Sequence, residues 1–115
     1  MSDSSPHCIF CDIVQGKRSA NHVYEDDLVV AFWDAHPAAP LHILIVPREH
    51  IPTLNDVPAG NDILAHIGRV ASRIAQDFGV AQTGYRFFIN VNSGGGQVVF
   101  HLHVHLVSRN WREPG

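Results

Sequence analysis

Residues 100–107 read Phe-His-Leu-His-Val-His-Leu-Val, an unbroken alternation of apolar residues and histidine. Helices repeat every 3.6 residues and strands every two, so only an extended strand keeps such a segment two-sided. As a strand it turns Phe100, Leu102, Val104 and Leu106 to one face, the core face, and His101, His103 and His105 to the other. A sheet is therefore required, with one side of this strand given to packing and the other to three imidazoles.

The rest of the chain supplies partners for that strand. Val23-Tyr24-Glu25 and residues 28–33 are rich in β-branched and aromatic side chains, and Asp26-Asp27 between them predicts a hairpin. Residues 42–46 are a further strand ended by Pro47, and residues 85–91 another. Ile63, Ile67, Val70, Ile74 and Phe78 recur at steps of three or four, one face of a long helix that Gly79 stops. Residues 8–14 read as a short apolar helix closed by Gly16, residues 36–40 as a stiff connection, and residues 98–108 as one long strand. Strands, one helix and a final hairpin, without regular β-α alternation, place the chain in the α+β class. The expected architecture is an antiparallel sheet of about five strands with one long helix and a short N-terminal helix.

At 115 residues the chain is one domain, 1–115, with residues 1–7 polar and expected to fray. Its 45% hydrophobic content suffices for one packed core. A formal net charge of -3 is the wrong sign for a protein that neutralises many phosphates, which argues against duplex nucleic acid as the main partner. The uncharged stretch 87–107 carries three Gly, two Asn and three His and is no membrane span. No basic region followed by an apolar run marks a secretory signal, so the expected address is the cytoplasm. In that reducing setting Cys8 and Cys11, three apart, point to metal or redox chemistry rather than to a structural disulfide.

Nine histidines are the oddest count in the composition. At about 3.3 Å per residue, the outer two of the row stand about 13 Å apart at Cα, too far for all three to share one ion on a straight strand. The row therefore divides roles. A neutral imidazole whose other nitrogen is held protonated is a competent nucleophile, and a protonated neighbour stabilises anionic oxygen in a transition state. Together these suit attack on phosphorus. The preceding Asn92-Ser93-Gly94-Gly95-Gly96-Gln97 either brings backbone N–H groups to an anion or simply turns a hairpin. Cys8-Ile9-Phe10-Cys11 spaces two thiols for tetrahedral zinc, with His50 and His101 as the candidates that complete a Cys2His2 set. Free thiols and a redox pair are the alternatives, the latter lacking a β-α-β context. His7, His22, His36 and His66 have no supporting pattern and read as surface residues.

The Cys pair, Tyr24-Glu25-Asp26-Asp27, Ala31-Phe32-Trp33-Asp34, Pro47-Arg48-Glu49-His50-Ile51, Gly84-Tyr85-Arg86, Asn90, Gly95-Gly96-Gln97 and the row from His101 to Val107 are found along nearly the whole chain. On these segments it resembles the histidine triad (HIT) family, in particular its Hint branch and small bacterial members. The resemblance implies a homodimer in which two antiparallel sheets join, each protomer holding its own purine nucleotide. It makes His103 the nucleophile that attacks the α-phosphorus and forms a nucleotidyl-histidine, later hydrolysed by water. His105 and Asn90 match positions that contact the phosphate, with Gln97 and Gly96 beside them. By the same resemblance His42 matches a histidine that supports the triad from behind, Asp34 the carboxylate that accepts from both ribose hydroxyls, and Ile9, Phe10, Ile13 and Phe32 the apolar slot for the base. Members with the Cys pair hold a structural zinc through it, a histidine at the His50 position and His101, the first of the triad. Hint proteins best known for phosphoramidate hydrolysis lack the pair. No organic cofactor is implied.

The activity implied is hydrolysis of nucleoside 5′-phosphoramidates. The alternatives are hydrolysis of dinucleoside polyphosphates, a nucleotide-binding, zinc-stabilised interaction protein with weak catalysis, and a metallohydrolase using the histidine row. Two departures bear on the leaving group: Val98 stands where the Hint branch often has a serine, and the tail from Ser108 to Gly115 is shorter than its Hint counterpart.

Overall fold

The computed structural model describes residues 8–113, so the fraying expected of residues 1–7, the surface position of His7 and the closing Pro114-Gly115 lie outside the described residues. Helix α1 (Ile9–Val14) leads to β1 (His22–Glu25), β2 (Val29–Trp33), β3 (Leu41–Pro47), the long helix α2 (Ile63–Asp77), β4 (Arg86–Phe88) and β5 (Val104–Ser108). The five strands form one antiparallel sheet in the order β1-β2-β3-β5-β4, the α+β architecture expected from the sequence.

Alternation along the strands divides the sheet into two packed faces. Val29, Ala31, Ile43, Ile45, Leu102, Val104 and Leu106 lie beneath α2, which contributes Ile63, Ile67, Val70, Ala71, Ile74 and Ala75. Val30, Phe32, Leu44 and Val46 face the opposite way, where α1 seats Phe10, Cys11 and Ile13. Covering both faces explains why β2 and β3 read as nearly continuous apolar runs. Ile67 is fully buried at the centre of the α2 layer, a burial worth about 1.5–3 kcal/mol. Gly79 ends the helix at φ +75°, a left-handed conformation that glycine adopts without steric cost.

Asp26 builds the β1–β2 turn. Its Oδ1 accepts from the Leu28 and Val29 amides at 2.8 and 2.9 Å, and its Oδ2 accepts from the Tyr24 hydroxyl at 2.8 Å. His66 of α2 donates to the same Oδ2 at 2.7 Å. His66 is therefore not the idle surface residue expected from sequence: it ties the long helix to the hairpin.

The histidine strand is shorter than the expected 98–108, because the ladder begins only at Val104, opposite Ile45. Continuing that register would set Leu102 against Pro47, which offers no N–H, and the Leu102 amide donates instead to the Ile51 carbonyl at 2.6 Å. The side-chain alternation nevertheless persists, with Leu102, Val104 and Leu106 in the α2 core. Phe100, expected on that core face, falls before the regular segment and is 47% exposed. The strand expected over 85–91 likewise contracts to Arg86–Phe88 before the chain enters the glycine loop.

Candidate active site

A cavity of about 810 Å³ opens on the α1 side of the sheet. Ile9, Phe10, Ile13 and Phe32 line its apolar wall, and Asp34, Asn90, Gly96, His103 and His105 line its polar wall. His101 and His42 are buried behind these walls. Gln97 also stands behind: its Oε1 accepts from the Asn92 amide at 2.9 Å, and its Nε2 donates to the Pro52 and Val99 carbonyls at 2.8 and 3.0 Å. With its amide used to close the glycine loop, Gln97 leaves the place expected for it to the loop backbone at Gly96, which adopts φ +86°.

Hydrogen bonds to the backbone decide which nitrogen of each histidine carries a proton, because a carbonyl only accepts and an amide only donates. His103 Nδ1 lies 2.7 Å from the His101 carbonyl, so Nδ1 bears the hydrogen and Nε2 is left with its lone pair. His42 Nδ1 accepts from the Ala38 amide at 3.0 Å, so His42 Nε2 bears a hydrogen and donates to His105 Nδ1 at 3.0 Å. His105 must then carry its own hydrogen on Nε2. That atom is buried and has no partner among the described residues, and the His105 ring lines the cavity.

Burial favours the neutral form of these rings. It lowers His103 despite the opposing bond to the His101 carbonyl, and it lowers His42 despite the nearby Asp34 carboxylate. Burial, reinforced by His103 and His42, brings His105 down to about 4. With its Nδ1 accepting from His42, His105 offers a neutral N–H donor in the place where the row was expected to hold a protonated neighbour. Asp34 Oδ2 lies 3.5 Å from His42 Nε2, and Asp34 Oδ1 accepts from the His36 amide at 2.7 Å.

Behind the cavity, Cys8, Cys11, His50 and His101 converge, their ligand atoms all within 4.8 Å of one another and close enough to hold a metal ion. Cys8 caps α1, its Sγ accepting from the Cys11 amide at 3.2 Å. His101 Nε2 donates to the Pro47 carbonyl at 2.8 Å, which turns the free Nδ1 toward both sulfurs. Burial lowers His101 to about 4, and burial followed by the adjacent Cys8 raises the Cys11 thiol to about 12. Asp34, His42 and His105 also cluster, but there the Ala38 amide commits the His42 tautomer to a hydrogen-bonded relay.

A model of the HIT domain matches residues 15–111. The chain is also 47% identical over 100 residues to the purine nucleoside phosphoramidase of Escherichia coli (strain K12), with 86% of this chain and 84% of that protein covered. The chain belongs to the HIT family. Among solved structures, this HIT protein is similar to a histidine triad protein from Clostridium difficile, at 44% identity and TM-score 0.90 over 98% of each chain. It is similar too to a HIT family hydrolase from Legionella pneumophila Philadelphia 1, at 48% identity and TM-score 0.86 over 89% of this chain and 92% of that one.

Around the cavity of this HIT domain, Phe88, Arg86 and four loop residues join the positions that the sequence marks. Phe88 stacks on His105 with centroids 4.7 Å apart and planes within 5°, and the Arg86 guanidinium lies 4.6 Å from the Phe88 centroid. Only the β4–β5 register, which sets Phe88 opposite His105, brings the two rings together. Phe10 meets His103 edge-on at 5.0 Å. Arg18, Ser19, Asn21 and His36 reach the cavity from loops, where no periodic pattern marks them. Val98 lines the cavity as well and is 86% exposed.

Proposed function

We propose that this HIT protein hydrolyses purine nucleoside 5′-phosphoramidates through a nucleotidyl intermediate on His103. The observation that carries the reading is the pair of nitrogens left over by the hydrogen bonding: a bare His103 Nε2 and an unpartnered His105 Nε2–H on one cavity wall. The phosphoramidase name of the Escherichia coli relative supports the substrate class. In the reaction the His103 Nε2 lone pair forms a bond to the α-phosphorus as the bond from phosphorus to the amine breaks. The amine leaves with that electron pair and takes a proton from solvent. His103 keeps its Nδ1 hydrogen on the His101 carbonyl, so the phosphorylated ring is a cation and a good leaving group. Water then attacks phosphorus, losing a proton to solvent, which releases the nucleoside monophosphate and restores the neutral ring.

His105 donates its Nε2–H to a non-bridging phosphoryl oxygen, where charge accumulates. Asn90 and the backbone at Gly96 assist from the same wall, Asp34 accepts from the ribose hydroxyls, and Ile9, Phe10, Ile13 and Phe32 enclose the base. An apolar slot favours purines, whose larger rings bury more surface.

Within the same reading Cys8, Cys11, His50 and His101 hold a structural zinc. A tetrahedron with Zn–S near 2.3 Å and Zn–N near 2.0 Å requires S···N separations of about 3.5 Å and N···N of about 3.3 Å. Cys8 Sγ stands 3.5 Å from His50 Nδ1 and 3.4 Å from His101 Nδ1, Cys11 Sγ 3.1 and 3.5 Å from the same atoms, and the two Nδ1 atoms 3.3 Å apart. A divalent cation there would hold both sulfurs as thiolates and clamp α1 to the sheet. The molecule is a homodimer joined sheet to sheet: three-residue β4 leaves that edge open, with Phe87 43% exposed beside it. Cytoplasmic residence accords with the free cysteines, and no helix among the described residues is long and apolar enough to cross a membrane.

The test is steady-state hydrolysis of an adenosine 5′-phosphoramidate, with diadenosine polyphosphates as the competing substrates, by wild type and His103→Ala. Turnover is expected on the phosphoramidate and to fall about 10³-fold or more in the variant, with nucleotide affinity largely kept. Unchanged turnover in a clean His103→Ala preparation ends the assignment, and preferred cleavage of the polyphosphates replaces the substrate.

A further inference from the structure

Resting on that nucleotide site, we infer that Arg18 reads the edge of the base and gives the site a preference for guanine over adenine nucleotides. In the cavity the His103 and His105 rings lie 4.9 Å apart, with Asp34 3.5 Å from His42 behind them, and Phe10 leads away from His103, at 5.0 Å, to Phe32, at 5.6 Å. A nucleotide with its phosphate on the histidines and its ribose at Asp34 carries its base toward Phe32 and Ile13.

Arg18, Ser19, Ala20 and Asn21 line the cavity, and their segment is anchored on both sides, to α1 and to β2. The Lys17 and Arg18 amides donate to the Asp12 carbonyl of α1 at 2.8 and 3.3 Å, and the Trp33 amide of β2 donates to the Asn21 carbonyl at 3.0 Å. The Ala20 carbonyl is further bonded by His22 Nδ1 at 3.1 Å. These bonds hold Arg18 on the cavity rim beside the apolar slot. Among the described residues no carboxylate pairs with Arg18, whereas Arg48 pairs with Glu25 and Arg73 with Asp77.

A guanidinium has five donors and no acceptor. Guanine offers two adjacent acceptors, O6 and N7, which a planar fork meets bidentately, whereas adenine offers N7 beside a donating amino group. The same side chain therefore attracts one purine and opposes the other. Asn21, on the same rim, is the counter-candidate, since an asparagine amide pairs with adenine N6 and N7.

Equilibrium binding of GMP and AMP, the unhydrolysed products, to the full chain and to Arg18→Ala, Arg18→Lys and Asn21→Ala tests the inference without requiring turnover. Wild type is expected to favour GMP. Because Arg18 is exposed, Arg18→Ala should weaken GMP about five- to twentyfold, the low end for a bidentate contact, and leave AMP within about twofold. Arg18→Lys keeps the charge without the fork and should fall between. A GMP to AMP ratio unchanged in Arg18→Ala overturns the inference, as does an AMP preference that collapses in Asn21→Ala. If phosphoramidate turnover persists in either case, the nucleotide reading stands and only the role of Arg18 falls. Wild type that binds neither nucleotide and turns over no phosphoramidate ends both.

Discussion

Replacing His42 by alanine cuts the hydrogen-bond chain that runs from the Ala38 amide through His42 to His105. His42 is 5% exposed, so its removal leaves His105 Nδ1 buried without a donor, a loss of about 1–3 kcal/mol, and a small cavity besides. The expected total is about 2–4 kcal/mol of stability, since water reaches the amide of the exposed Ala38. The kinetic effect is smaller than the fold of the site suggests. A hydrogen bond worth about 0.5–1.5 kcal/mol biases the His105 tautomer about 2- to 13-fold. Without it the ring spends about half its time with the hydrogen on the wrong nitrogen, which lowers kcat about twofold, and about tenfold once looser ring orientation is included. His105→Ala removes the donor itself and should cost about 10²–10³ in kcat. The assay is kcat and KM on an adenosine phosphoramidate for both variants beside chemical denaturation, with ¹⁵N NMR reading the His105 tautomer directly. A natively folded His42→Ala that loses as much kcat as His105→Ala refutes the relay, because His42 would then act on substrate itself. Wild-type His105 found protonated at Nδ1 refutes the tautomer assignment whatever the kinetics.

Three further outcomes follow from other contacts. Phe88→Leu removes the ring stacked on His105 and should lower kcat about 2- to 13-fold at nearly constant KM, with Phe88→Tyr restoring most of it; equal losses in both variants would refute stacking as the cause. Burial alone would raise the Asp26 carboxyl, but bonds from the Leu28 amide, the Tyr24 hydroxyl, the Val29 amide and His66 outweigh it and hold the group well below the usual carboxylate range. A depressed folded pKa stabilises the fold above the unfolded value near 4 and ceases to do so as pH falls through the folded value. The stability gap between wild type and Asp26→Asn, about 2 kcal/mol at neutral pH, should therefore narrow steadily below about pH 4 in denaturation curves; a gap independent of pH would refute the charge-based account. Cys11→Ser should lose bound zinc and lower the thermal midpoint before it abolishes turnover, as metal analysis and calorimetry on one sample would record; activity lost with the fold and midpoint intact would point to a catalytic metal instead.

How much was legible from sequence varies with the range of the physics. The α2 face and the β1–β2 hairpin were visible because a 3.6-residue period and the Asp26 turn are properties of neighbouring residues. The Cys8 and Cys11 spacing exposed two members of a metal-competent cluster, and His50 and His101 were picked as its completion from sequence, although they stand 42 and 93 residues from Cys8. Strand ends were misjudged where the limit came from a partner: β5 starts at Val104 because Pro47 across the sheet has no N–H, which residues 98–103 do not reveal. Gln97 was expected at the phosphate for want of knowing that Pro52, Val99 and Asn92 consume its amide.

The sequence by itself determined which side chains share a face, since alternation and helical spacing are written into local geometry. It thereby set apart three imidazoles on one side of a strand and the core on the other. Only the tertiary structure decided which nitrogen each imidazole leaves without a hydrogen-bond partner. The hydrogen on His101 is assigned by the Pro47 carbonyl 54 residues away, that on His103 by a carbonyl beside it in the chain, and that on His105 by His42 across the sheet. Three chemically identical rings present a bare Nδ1 at His101, a bare Nε2 at His103 and an Nε2–H at His105, because a proton's place on imidazole depends on what lies within about 3 Å of each nitrogen.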